Sequence, residues 1–419
     1  MKIVVIGLGY VGLPLAIALA RKFEVTGFDI DKDRVTELRS GHDRTREISE
    51  ADLTGSSLAA TNDPDECRGA NFYIVTVPTP VDSSNRPDLT AVLSASRFVA
   101  SVIDPALRPT IVFESTVYPG VTEDICGSEI ERASGLTRGR DFRLGYSPER
   151  INPGDKEHRV EVITKVIAGE NEEVLDQLAS IYGAITTGGV FRAASIKTAE
   201  AAKVIENAQR DINIAFMNEV AQILHPMGVS MWDVLSAART KWNFLPFEPG
   251  LVGGHCIGVD PYYLSHLAQS LGHHPQVILA GRQTNDDMGA WVADQLHARR
   301  GGRPGSALVM GITFKENVPD IRNSKVIDLI RRLEELGHRV EVTDPLADAA
   351  EVAEHYGIEL IEPHGSSYDL VIGAVPHLSF RDISPERLEA LTKAEGTIAD
   401  LKGIWKDHRD SAGLDRWSL

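Results

Sequence analysis

Three cysteines in 419 residues, Cys67, Cys126 and Cys256, are too few and too widely separated to form a disulfide framework or a paired metal-ligand spacing. A reducing compartment, hence the cytoplasm, is expected, with no structural zinc or other metal. Positive charge is also in short supply. The 43 Lys and Arg stand against 60 Asp and Glu, a formal net charge of −17. A chain that grips phosphate backbones or anionic lipid needs a basic face, so nucleic acid and membrane surfaces are excluded as main partners. A small anionic ligand remains allowed where a few Lys and Arg converge. Long hydrophobic runs are missing too. Only the stretch from Ile3 to Ala20 approaches the ~20 apolar residues of a membrane span. It follows Met1-Lys2 as a secretory leader would, but it carries Gly7, Gly9, Gly12 and Pro14, which a cleaved leader has no reason to carry.

The same glycines are the first thing the chain does contain. Ile3 to Ile6 is a β-branched run apolar on both faces, as in a strand buried in a parallel sheet. It leads into Gly7-Leu8-Gly9-Tyr10-Val11-Gly12 and a helical stretch to about Lys22; a second strand, Glu24 to Phe28, ends at Asp29. This is a βαβ unit with a dinucleotide fingerprint. The glycines permit a tight turn, approach of a pyrophosphate and close helix packing, and Asp29 can accept hydrogen bonds from ribose hydroxyls. NAD is favoured over NADP by the acid at the strand end. Arg34 can meet a 2′-phosphate or, equally, stack on adenine.

Further strands end where an open α/β sheet binds its ligands. Asn71 to Val77 runs into Pro78-Thr79-Pro80, and Thr110 to Phe113 into Glu114-Ser115-Thr116, which places Pro78, Thr79, Ser115 and Thr116 at the cofactor crevice. Leu144 to Tyr146 leads into a polar turn, Ser147 to Gly154, whose candidate acid is Glu149. Ser195 to about Met227 changes to a helical period, with Ser195 as cap. At 1.5 Å per residue it spans roughly 50 Å. Lys203 and Asn207 stand four apart and share one face, a spacing more often found on solvated surface. Trp232 to Pro249 is aromatic and irregular, and reads as a loop folded over a ligand.

Gly253-Gly254-His255-Cys256-Ile257-Gly258-Val259-Asp260 follows. Glycines allow backbone to approach a ligand, a thiol supplies a nucleophile and an aspartate four residues on can handle protons, although an isolated Cys is more often a small buried hydrophobe. After a boundary at Gly301 to Gly305 the α/β pattern repeats. Strands at Ala307 to Ile312, Arg339 to Thr343, Leu370 to Val375 and Thr397 to Ala399, with a helix at Asn323 to Leu336, make a second Rossmann-like domain. It lacks the glycine fingerprint; its first loop, Thr313 to Asn317, offers Lys315, and Arg322 follows, as positive charge for a phosphate.

Five stretches in this order, Gly7 to Gly12 with Asp29, Glu114-Ser115-Thr116, Lys203 with Asn207, Gly253 to Cys256 with Asp260, and Gly311 to Arg322, resemble the nucleotide-sugar 6-dehydrogenases over essentially the whole chain. The resemblance implies two Rossmann-like doubly wound α/β domains joined by a long central helix and a helical dimerisation domain. The boundaries expected are 1–194 for NAD binding, 195–300 for the central helical part and 301–419 for nucleotide-sugar binding. It implies a homodimer, a UDP-sugar substrate and oxidation of the sugar C6 alcohol to a carboxylate by two NAD in succession. In that chemistry Cys256 adds to the C6 aldehyde, and water hydrolyses the resulting thioester. Lys203 and Asn207 stabilise oxyanion character, Asp260 serves proton transfer or water activation, and Thr116 with Glu149 holds the water.

By the same resemblance Lys315 meets the nucleotide sugar and Arg322 lies near NAD. Arg239 lies near where relatives place an arginine that reaches substrate across the dimer. The run Ser147 to Asp155 and the loop Lys241 to Gly254, with Arg150, Phe247 and Gly253 as substrate contacts, look like the UDP-N-acetylhexosamine branch rather than UDP-glucose dehydrogenases. UDP-N-acetylglucosamine, for surface polysaccharide synthesis, is the expected substrate, with UDP-N-acetylgalactosamine, UDP-N-acetylmannosamine or UDP-glucose as alternatives for the same chemistry. Other readings remain: a two-electron β-hydroxyacid dehydrogenase, which needs no Cys256, and a non-catalytic nucleotide-sugar sensor.

Overall fold

Ile3, Val4, Val5 and Ile6 are buried on both faces of strand β1 (Lys2–Ile6), as expected for a central strand of a parallel sheet. Each such apolar side chain contributes about 1.5–3 kcal/mol on burial. In this computed structural model, which describes residues 1–150, 159–254, 257–363, 367–408 and 414–419, the chain divides into two units. One is Met1–Glu206 with Tyr262–His273; the other is Asn207–Pro261 with His274–Leu419.

The first unit contains an eight-stranded sheet. Its strands are β1, β2 (Glu24–Phe28), β3 (Ala59–Thr61), β4 (Phe72–Val75), β5 (Thr110–Phe113), β6 (Arg143–Tyr146), β7 (Lys165–Gly169) and β8 (Val190–Arg192), in the order β3-β2-β1-β4-β5-β6-β7-β8. Pairing is parallel except between β6 and β7. The chain leaves β1 toward one edge and returns to β4 on the other side, so the strand order reverses there and opens a crevice beyond the strand ends. Helix α1 (Gly12–Ala20) is buried almost all round, with Leu13, Leu15, Ile17 and Leu19 in the core on one sheet face. Helix α2 (Lys32–Arg39) starts where the Asp31 carboxylate accepts from the Asp33 and Arg34 N–H groups.

The long helix α3 (Ile196–Leu224) starts at the expected cap: Ser195 Oγ accepts from Thr198 N–H at 3.1 Å. It tightens into a 3₁₀ turn at His225–Met227 and stops at Gly228, whose φ of +68° only glycine adopts freely. Its residues up to Glu206 belong to the first unit and those from Asn207 to the second. Helix α4 (Asp260–Ser270) divides similarly after Pro261.

The second unit holds helix α5 (Gln276–Arg299) and a five-stranded parallel sheet. Its strands, β9 (Ser306–Met310), β10 (Arg339–Thr343), β11 (Tyr368–Gly373), β12 (Thr392–Asp400) and β13 (Asp415–Ser418), run in the order β10-β9-β11-β12-β13. This is the other common doubly wound order, with its switch between β9 and β11. Helix α6 (Val326–Glu335) buries Val326, Ile327, Leu329, Ile330 and Leu333 against that sheet.

Two local expectations change. The stretch from Trp232 is helical at its start: Met231–Ala238 forms a helix because Ser230 Oγ accepts from Asp233 N–H at 3.3 Å, and only the residues from Arg239 onward are irregular. The strands β3, β7, β8 and β13 were not apparent in the hydrophobic pattern. Three of them, β3, β8 and β13, are edge strands, where only half a strand needs to be apolar, and β7 lies next to the β8 edge.

Candidate active site

The glycine loop separates into residues the protein itself requires and one it does not. Gly7 has φ +92°, and a Cβ on Gly12 would lie 1.8 Å from the Gly7 carbonyl oxygen and 2.4 Å from Thr76 Oγ1, so no side chain fits there. A Cβ on Gly9 would meet nothing within 4 Å. No internal packing explains that glycine; open space beside a helix start suits the approach of a pyrophosphate. Tyr10 and Val11 complete the turn into α1. Asp29 accepts from Leu8 N–H at 2.8 Å and from Asp31 N–H at 2.9 Å, so the acid at the end of β2 also braces the loop. Arg34 is buried, donating from Nε to the Leu8 carbonyl at 2.9 Å and from Nη2 to Asp43 at 2.7 Å. Its charge is met inside the protein, and its role here is to hold the loop from behind.

The ends of β4, β5 and β6 gather the other expected residues of the first unit. Thr79 Oγ1 donates to the Thr116 carbonyl at 2.6 Å and Ser115 Oγ to the Val77 carbonyl at 2.6 Å, tying the two loops together beside Pro78. Tyr263 OH donates to the Thr79 carbonyl at 2.8 Å. Glu149 is buried just past β6, whereas Arg150 is exposed and pairs with Glu206. Behind this row sits a group that sequence reasoning missed. Lys165 Nζ donates to Glu114 at 2.7 Å and Tyr182 OH donates to the other Glu114 oxygen, all three fully buried. Burial pushes the Glu114 carboxyl up, Lys165 opposes it, and Glu149 adds to the rise. Lys203 is buried on α3, one turn after Glu200, which accepts from Gly120 N–H at 2.6 Å and Thr122 N–H at 2.9 Å.

In the second unit Asn207 Nδ2 donates to Asp260 Oδ2 at 2.5 Å, both residues buried. The pair joins the start of this unit's share of α3 to the first residue of α4. Gly253 and Gly254 lie against the loop before α6: Gly254 N–H donates to the Asn323 carbonyl at 3.2 Å, and a Cβ on Gly254, at φ +89°, would lie 2.7 Å from the Phe314 ring. Cys256 and His255 lie outside the described residues. Phe247 is half-buried; Arg239 is exposed and pairs with Glu248 at 2.5 Å. Arg322 is held by Asp320 through contacts of 2.9 and 2.6 Å. Lys315 lies in the loop after β9, where Thr313 Oγ1 donates to its carbonyl at 2.9 Å. His377, at the end of β11, accepts from Asn317 N–H on Nδ1 at 2.9 Å, which leaves Nε2 to carry the proton toward Asp344 at 3.1 Å. Burial pushes the Asp344 carboxyl up, but hydrogen bonds from His377 and Ile312 N–H outweigh it and its net shift is downward.

Comparison with known proteins decides the family. Three models of the UDP-glucose/GDP-mannose dehydrogenase family match in chain order: the NAD binding domain over residues 1–186, the central domain over 197–287 and the UDP binding domain over 308–407. A UDP-N-acetyl-D-glucosamine 6-dehydrogenase from Pseudomonas aeruginosa is 50% identical over 421 residues, 99% of each chain. The chain belongs to the UDP-glucose/GDP-mannose dehydrogenase family. A second relative, the UDP-N-acetyl-D-glucosamine 6-dehydrogenase of Salmonella typhi, is 46% identical over 411 residues, 96% of each chain. Among solved structures, a UDP-D-ManNAc dehydrogenase from Pyrococcus horikoshii superposes with a TM-score of 0.88 at 28% identity, covering 99% of both chains. The protein is thus an NAD-dependent nucleotide-sugar dehydrogenase, with NAD carried by the domain that holds the Gly9 loop. Among the described residues no helix is long and apolar enough to cross a membrane, and no group of three or more His, Cys, Asp and Glu is placed to hold a metal.

Proposed function

We propose that this dehydrogenase oxidises the C6 hydroxymethyl group of UDP-N-acetylglucosamine to the carboxylate, in the cytoplasm, as a precursor step for surface polysaccharide. The observation that carries the substrate is the 50% and 46% identity, over nearly full lengths, to relatives named for that activity. The boundaries 1–194, 195–300 and 301–419 serve as NAD-binding, central and UDP-sugar-binding parts.

Gly7, Gly9, Tyr10, Val11, Gly12, Asp29, Pro78, Thr79, Ser115 and Thr116 would hold NAD, with Arg34 bracing the loop and Arg322 nearby; NAD supplies the hydride acceptor for each of two oxidations. Lys203 and Asn207 stabilise negative charge on the C6 oxygen as its proton leaves. An aldehyde gives up a second hydride only after a nucleophile has made its carbon tetrahedral. The Cys256 thiolate does this, forming a C–S bond and a thiohemiacetal; hydride loss leaves a thioester, and water, positioned by Glu149 and Thr116, cleaves it to acid and free thiol. Asp260, held by Asn207, takes the protons released. Per sugar, one water and two NAD are consumed and two NADH form. Arg150, Arg239, Phe247, Gly253 and Lys315 contact the UDP-sugar.

A homodimer is proposed from α3, on which Phe216 and Ile223 are more than half exposed, with Met227 just beyond its end. With limiting UDP-N-acetylglucosamine and excess NAD, two NADH per sugar are expected. One per sugar would mean release of aldehyde, and turnover on the galacto epimer or UDP-glucose alone would move the substrate. Cys256→Ser should abolish acid formation; full activity in that variant would end the covalent scheme.

A further inference from the structure

The stretch that leads to Cys256 is tied to α3 by a chain of buried polar groups. Asn207, Asp211 and Asn218 lie at positions i, i+4 and i+11 of the helix, one face, and are 4%, 0% and 0% exposed. The Asn218 carboxamide pairs with both backbone groups of Gly250: it accepts from Gly250 N–H at 2.8 Å and donates to the Gly250 carbonyl at 3.0 Å. Its Nδ2 also donates to Asn285 Oδ1 at 2.8 Å. Asn285 Nδ2 in turn donates to the Asp211 carbonyl at 3.0 Å and to Asp211 Oδ1 at 2.8 Å, and Arg282 Nη1 donates to the same oxygen at 2.5 Å.

Backbone groups at both ends of this chain fix the orientation of both amides, since every amide donor then meets an acceptor and flipping either amide breaks its three contacts. Ten residues after Gly250, Asp260 is tied to Asn207 on the same helix at 2.5 Å. Residues 250 and 260, which bracket Cys256 in sequence, are therefore both registered against α3. Lys402 adds a grip at the entry, donating to the Pro249 carbonyl at 3.0 Å.

We propose that Asn218, held by Asn285, Asp211 and Arg282, is a positioning residue for the dehydrogenation: it fixes Gly250 so that the following segment delivers the thiol in reach of the sugar C6. The proposal rests on the cysteine chemistry put forward above. Displacing a reacting group by about 1 Å costs on the order of 10²-fold in rate, so a side chain that fixes the backbone leading in sequence to a nucleophile acts on kcat more than on binding.

The test compares wild type, Asn218→Ala, Asn285→Ala and Cys256→Ser at a temperature where circular dichroism shows each folded. Steady-state kinetics is joined by the rate of Cys256 alkylation with iodoacetamide; burial pushes the Cys67 and Cys126 thiols up to about 12, which keeps them out of the reaction. Expected for Asn218→Ala is a fall in kcat of about 10²-fold with KM for NAD nearly unchanged, and a changed alkylation rate. Asn285→Ala, which keeps Asn218 but unlatches its amide, should lose about tenfold. It carries the test alone if Asn218→Ala does not fold. Folded variants with wild-type kcat, beside an inactive Cys256→Ser, would overturn the positioning role only. Wild-type turnover by Cys256→Ser would instead remove the cysteine scheme on which it rests.

Discussion

Lys165 and Glu114 meet at 2.7 Å with neither side chain reaching solvent. The lysine sits at the start of β7 and the glutamate directly before Ser115 and Thr116, so the ion pair stands behind the loops assigned to NAD. Tyr182 OH donates to the second carboxylate oxygen, and the Lys165 ammonium lies 5.1 Å from the Tyr182 ring centre. Two charges removed from water in this way are tolerable only as a pair.

Lys165→Met should therefore destabilise the protein by about 3–5 kcal/mol, because it leaves Glu114 buried and uncompensated. Adding Glu114→Gln to that variant should restore most of the loss, since the remaining groups are neutral. Thermal unfolding of the two variants and wild type measures both steps. A double variant no more stable than Lys165→Met would show that the carboxylate is not the source of the penalty.

Gly9 and Gly12, three residues apart in one loop, should fail in different ways. Gly12→Ala forces a Cβ to within 1.8 Å of the Gly7 carbonyl oxygen, which is backbone and cannot yield, so the variant should be poorly folded or much less stable. Gly9→Ala meets no protein atom within 4 Å and should melt close to wild type, yet bind NAD weakly because the added methyl occupies the cofactor's approach. Calorimetric titration with NAD beside a thermal melt separates the two. A Gly9→Ala protein with unchanged NAD affinity would take Gly9 out of the cofactor site.

These contrasts also mark what could be read before the structure. The glycine loop, Asp29, the Ser195 cap and the Lys203 and Asn207 spacing are local patterns, set by neighbours within a turn or a βα unit. Lys165 is 51 residues from Glu114, and Asp211 is 71 from Arg282. Each alone reads as solvated surface, and only tertiary packing makes it a buried partner. The same holds for Asn218, which looks like an interruption of the helix's apolar pattern until Gly250 is brought to it. The helix at Met231–Ala238 was hidden for a different reason: its cap signal, Ser230 with Asp233, sits inside a run dominated by the aromatic residues that follow. What the two sheets share, a strand ending at the crevice, was legible in both. The partners that make each crevice rigid were not.

Glu200 gives the protein a pH dependence whose sign follows from its surroundings. Burial pushes its carboxyl up to about 7, against hydrogen bonds from the Gly120 and Thr122 N–H groups that favour the charged form. In the unfolded chain the same group titrates near 4.5. Between those values the folded protein holds one proton more than the unfolded chain, so stability is highest below the lower value and falls as pH rises toward the upper one. The full drop is at most about 3 kcal/mol. Glu200→Gln cannot titrate, and its amide can satisfy only one of the two N–H groups, so an offset from wild type is expected at every pH. The informative quantity is the slope: the stability of wild type relative to Glu200→Gln should decline from pH 5 to pH 7 and level off above. Urea unfolding at four pH values in that range and beyond measures it. Parallel curves would mean that Glu200 stays ionised in the folded protein, with its two backbone donors outweighing burial. Because Glu200 lies three residues before Lys203 on α3, the same titration should appear in the pH profile of turnover, and its absence from Glu200→Gln profiles would tie the two together.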